Sequence, residues 1–291
     1  MRHKKVQVAL FVLITLLAVC VGQYAGAAAD IATVQWKRLS DTDISPIGRS
    51  ALALDKKKWQ HAETGHFIYH FVDADWAEIV YINAEVFYSW IKDIFGIRKD
   101  TWTKKVHIFV FTDEARWNDF KEKARVTAHG DAFTSGWELF FYRRPHVLTA
   151  RKSLAHEITH VIVFRFLDGP IPIFLNEGFA EFISMRAIAM QEQASEYDLR
   201  AVKFLTKGEY LPLEELIAAK TYPTSKEALI IFYRESELLV RHLILNHQTE
   251  KFYKLLRLVS KGQTFKQAVK KTYEKDFTSF EKEFKKYALE E

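Results

Sequence analysis

Two short segments carry residue types at spacings suited to metal chemistry: His156-Glu157-Ile158-Thr159-His160 and, a little further on, Asn176-Glu177-Gly178-Phe179-Ala180-Glu181. On an α-helix a separation of four residues advances about 400°, so the imidazoles of His156 and His160 project from one face, one turn apart, and can reach one cation. Glu157 lies about 100° round the helix, poorly placed to join them as a ligand but able to face a water beside the metal, which makes it the candidate general base. A hydrolytic zinc site takes three protein ligands and keeps one position open, and Glu177 on the following helix offers the third. The expectation is one Zn2+ per chain, held by His156, His160 and Glu177.

A His-Glu-x-x-His pentapeptide also arises by chance, so its setting decides how it is read. Leu154, Ile158, Val161, Ile162, Val163, Phe164 and Phe166 make this helix apolar on nearly every side, the pattern of a buried segment. Two histidines and a glutamate in such a helix are costly to desolvate unless something compensates them. A bound cation compensates all three.

The elements that must position these residues divide into a small sheet and a helical half. Strands are predicted at His66–Val72, Val106–Phe111 and Gly136–Tyr142, with helices at Ala74–Phe95, ended by Gly96, and Asp113–Lys123. The metal helix is placed at Thr149–Leu167, broken by Asp168-Gly169-Pro170, and the Glu177 helix at Ile173–Met190. Further helices are placed at Glu196–Leu205, Lys226–Asn246, Glu250–Ser260, Phe265–Tyr273 and Thr278–Leu289. The fold class is therefore α+β, a small mixed sheet packed on helices and followed by a mostly helical C-terminal half, with a cleft between the halves as the natural substrate site. If the Trp137–Tyr142 strand is an exposed edge it can pair with an extended peptide; otherwise its aromatics belong to the core.

With 291 residues, 48% of them hydrophobic, the chain can bury a large core. Its first 29 residues run from a basic start, Arg2-His3-Lys4-Lys5, through an uncharged apolar stretch to Ala25-Gly26-Ala27-Ala28-Ala29, the layout of a secretory signal peptide. An uncleaved membrane anchor is a second reading and a lipoprotein acylation site at Cys20 a third. Either way an exported, periplasmic or extracellular location is expected. Removing Arg2, Lys4 and Lys5 lowers the formal charge from +5 to +2, so little basicity is left to attract nucleic acid. Cys20 is the sole cysteine, which leaves no disulfide framework. Residues 30–62 show no sustained period and read as an irregular lead-in to a domain spanning 63–291.

Phe174-Leu175-Asn176-Glu177-Gly178-Phe179-Ala180 after His156-Glu157-x-x-His160 resembles the gluzincin metallopeptidases, and more closely their compact bacterial peptidase MA-like domains than the aminopeptidase N type, whose spacer is usually longer. The resemblance covers roughly His66 to the C-terminus and implies a zincin-like fold that hydrolyses peptide bonds with a zinc-activated water. It also implies that Glu181 orients His156 and that Tyr233 stabilises the oxyanion; read from the residues alone, Glu181 is a solvated helix carboxylate and Tyr233 a core tyrosine. His129 is a further candidate donor. The expected substrate is a peptide or protein, and the oligomeric state is left open. Two other functions use the same ligands: a non-catalytic zinc-stabilised domain that binds a partner at the cell envelope, and hydrolysis of a bond other than a peptide.

Overall fold

The computed structural model describes residues 31–54, 58–99, 103–126, 131–142, 147–167, 169–191 and 204–290. The leader, His129 and all but the last two residues of the helix expected at Glu196–Leu205 lie outside these; Phe204 and Leu205 themselves are not helical. The described residues fold as a mixed α+β protein with ten α-helices and one five-stranded sheet. No helix among them is long and apolar enough to cross a membrane.

The sheet comprises β1 (Gln60–Glu63), β2 (Phe67–Phe71), β3 (Val106–Phe111), β4 (Ala132–Ser135) and β5 (Glu138–Tyr142), in the order β1-β2-β3-β5-β4. Its centre, β2-β3-β5, is parallel, and every residue of β2 and β3 is buried, as expected of strands covered on both faces. The edges β1 and β4 pair antiparallel. These two strands are four residues long and carry no run from which alternation could be read. Gly136, at φ +60°, makes the tight turn from β4 into β5, so the third expected strand begins at Glu138 rather than at Gly136. The Trp137–Tyr142 segment is consequently not an edge; β4 is.

One face of the sheet packs Phe109, Phe111 and Phe140 against Ile44, Ala51, Trp117 and Phe120. Trp117 and Phe120 come from α3 (Glu114–Lys123) and Ala51 from α1 (Pro46–Ala53). This corrects the reading of 30–62 as irregular. Ser45 accepts from the backbone N–H groups of Ile47 and Gly48, and Pro46 stands at the first helical position, where its missing N–H does no harm. Eight residues are simply too few to show a period. From Thr33 onward the chain clusters as one unit, lead-in included.

The opposite face carries α2 (Ala74–Ile94) and α4 (Val147–Phe166), and α4 also packs on α5 (Ile173–Gln191). A short helix, α6 (Leu213–Ala218), was not legible in advance. It precedes α7 (Lys226–Leu245), which is capped by Ser225 and buried along almost all of its second half. Behind it lie α8 (Thr249–Ser260), α9 (Phe265–Tyr273) and α10 (Phe277–Ala288). α5 and α7 approach closely: a Cβ on Gly178 would stand 2.2 Å from the Ser236 carbonyl oxygen, so only glycine lets the two backbones meet there.

Candidate metal centre

α4 and α5 each carry two of the predicted residues one turn apart, and their packing brings the four together. Nε2 of His156 lies 3.1 Å from Oε2 of Glu177, and Nε2 of His160 lies 3.6 Å from the same oxygen. The two imidazoles stand edge to face with centroids 4.7 Å apart. Nδ1 of His156 is engaged on its other side by Oε1 of Glu181 at 3.1 Å, and Oε2 of Glu181 pairs with Lys152 at 2.9 Å. Lys152 is one turn before His156 on the same helix, so the imidazole is fixed through both nitrogens.

Donors and distances suit zinc. A tetrahedral ion with nitrogen and oxygen ligands at about 2.0–2.1 Å keeps those ligands roughly 3.3 Å apart, and the contacts of 3.1 and 3.6 Å onto Glu177 bracket that spacing. One ligand atom each from His156, Glu157 and His160 also lie within 4.8 Å of one another. Nδ1 of His160 is buried without a hydrogen-bond partner.

The electrostatics favour added positive charge. Burial pulls the His156 imidazole down, but its hydrogen bonds to Glu177 and Glu181 outweigh this and raise its pKa to about 10. Burial pushes Glu177 up, and the hydrogen bond from His156 together with the nearby His160 imidazole more than offsets it, holding the carboxyl well below the usual range. Glu181 is likewise pushed up by burial and held low by His156 and Lys152. Glu157 behaves differently: burial lifts its pKa, and the two histidines oppose this only in part. Three carboxylates thus face two imidazoles and one ammonium, a balance that either a proton on His156 or a divalent cation among the three convergent atoms would redress.

These groups open onto a cleft of about 990 Å3 whose walls include Phe133 and Thr134 of β4, Glu157, Phe164, Tyr222 and Tyr233. Tyr233, on α7, has its ring 6.4 Å from that of His156. Burial first, then the nearby Glu177, Glu181 and Glu157, keeps its hydroxyl protonated far above neutral pH. Tyr222 was not anticipated. Its hydroxyl donates to Oε1 of Glu177 at 2.6 Å, and its ring lies nearly parallel to that of Tyr233, 17° apart in plane and 6.3 Å between centroids. It stands in the segment before α7, where a Tyr-Pro pair has no periodicity to mark it. Lys152 had a readable signal, its position four residues before His156. No family model matches this chain, and no curated protein matches it.

Proposed function

We propose that this chain is an exported zinc-dependent peptidase of gluzincin type with a zincin-like fold. The observation that carries the reading is the convergence of Nε2 of His156 and Nε2 of His160 on one oxygen of Glu177, beside the half-buried Glu157, in an open cleft. His156, His160 and Glu177 would hold the ion. When bound, zinc polarises a carbonyl and makes a water acidic enough to lose a proton near neutral pH.

The remaining chemistry belongs to the chain. Glu157 accepts a proton from the water whose oxygen attacks the scissile carbonyl carbon, and returns it to the amine nitrogen as the C–N bond breaks. A carboxylate lifted by burial suits that task, because its pKa moves towards that of the groups it exchanges protons with. Tyr233 offers a protonated hydroxyl at the cleft wall for the oxygen that becomes negative. Glu181 and Lys152 keep His156 from turning. Among the described residues β4 is an edge strand lining the cleft, so it can hold an extended peptide by main-chain hydrogen bonds, whatever its side chains.

Incubating the purified chain with an unbiased peptide library tests this. Cleavage is expected, abolished by a chelator, restored by zinc, and reduced about 10²–10⁴-fold in Glu157→Gln with zinc retained. Stoichiometric zinc without cleavage of any peptide would favour the non-catalytic envelope domain.

A further inference from the structure

A second group of ligand-type side chains lies away from the cleft, where the end of α7 meets α10. His242 is on the last turn of α7, His247 follows its C-terminal cap, and Glu283 projects from α10. One ligand atom from each lies within 4.8 Å of the others. Oε1 of Glu283 is 3.6 Å from Nε2 of His242 and 3.7 Å from Nε2 of His247. These are too long for hydrogen bonds but close to the roughly 3.3 Å separating neighbouring ligands of a tetrahedral zinc.

A separate observation points at a ligand. Both Nε2 atoms are buried and lack a hydrogen-bond partner, and His242 is only 1% exposed. Buried imidazole nitrogens normally find a partner, so two orphans aimed at one carboxylate oxygen require an explanation. The walls give them none: His242 is ringed by Phe280, Phe284 and Tyr287, and His247 packs on Tyr273. Lys275 pairs with the other oxygen of Glu283, Oε2, which fixes the carboxylate with Oε1 towards the imidazoles.

We propose that His242, His247 and Glu283 form a second site for a divalent d-block cation of the zinc class, one that clamps α10 to the end of α7. Two imidazoles and one carboxylate suit zinc better than magnesium or calcium, which prefer oxygen ligands throughout. Nδ2 of Asn246 lies 2.8 Å from Nδ1 of His242. In the metal-binding tautomer Nδ1 carries the proton and donates it to the Asn246 carbonyl oxygen, an arrangement reached by exchanging the two nearly isosteric ends of that amide. Because α7 also carries Tyr233 and the backbone that meets Gly178, this clamp would brace the wall of the cleft without contributing to it.

Zinc counting on the purified chain decides the matter independently of peptidase activity. The wild type is expected to bind two zinc ions per chain, and His156→Ala/His160→Ala to keep one, with its melting temperature raised by added zinc. Adding His247→Ala to that pair should remove both the remaining ion and the zinc-dependent shift, and Glu283→Gln, which alters a partly exposed side chain, covers the case in which His247→Ala does not fold. A wild type that binds one ion, lost with His156 and His160, would overturn the proposal, as would zinc retained in full after either change to the second site.

Discussion

Glu177 is held at both of its oxygens: Oε2 faces the two histidines, while Oε1 accepts the hydroxyl of Tyr222 at 2.6 Å. A carboxylate anchored in this way is restrained from swinging away from the histidines, and under the proposed metal binding the bond selects which oxygen would face the ion. Tyr222→Phe is therefore expected to weaken zinc binding about 10–100-fold. Competition against a chromogenic chelator measures it, and unchanged affinity would remove Tyr222 from the site.

Tyr233 stacks alongside Tyr222, and the proposed mechanism gives the two different tasks, so they should separate in kinetics. Tyr233→Phe should leave zinc affinity alone and lower kcat about 10²–10³-fold, with KM little changed, because the lost contact is made only as the oxyanion forms. A KM effect with kcat preserved would instead mark Tyr233 as a substrate-binding side chain.

What could be read in advance follows from how local each signal is. His156, His160 and Glu177 follow from spacing along two helices, with Glu181 added by the family resemblance, and longer helices such as α2, α7 and α8 showed their periods plainly. Four-residue strands and the short helices α1 and α6 carry too few residues for a period, so their existence depends on caps, turns and neighbours. Which strand forms the edge was also hidden, because sheet order depends on pairing between distant segments and β4 is recognisable only once it lies against β5. Tyr222 was invisible for the same reason. It meets Glu177 across 45 residues of chain, and nothing in its own segment says so.

Gly178 carries a structural prediction that the motif alone did not suggest. The added methyl of Gly178→Ala would fall 2.2 Å from the Ser236 carbonyl oxygen and 3.0 Å from a methyl of Val240, so α5 and α7 must move apart. Overpacking of this kind typically costs about 1–3 kcal/mol, and here the strain is against backbone, which cannot rotate away. Chemical denaturation should show that loss, accompanied by lower zinc affinity because Glu177 is the adjacent residue. A variant as stable as wild type would mean the helices are not locked at this point.

Glu235 gives the chain a pH dependence of its own. The side chain is fully buried on α7, with Oε2 accepting from the Leu211 N–H at 3.1 Å and Oε1 buried without a partner. Burial lifts its pKa to about 8, opposed only in part by the Leu211 hydrogen bond. The folded state therefore holds this proton more tightly than the unfolded chain does. The associated stability is complete below the ordinary glutamate pKa near 4.5 and is lost as pH rises through about 8. Since one pKa unit corresponds to about 1.4 kcal/mol, the decline from pH 5 to pH 9 should be of the order of a few kcal/mol. Glu235→Gln, which keeps the shape and cannot ionise, should be the more stable protein at pH 9 and show a flatter profile between pH 6 and 9. Parallel profiles for the two proteins in urea titrations across that range would show that Glu235 is not the group responsible.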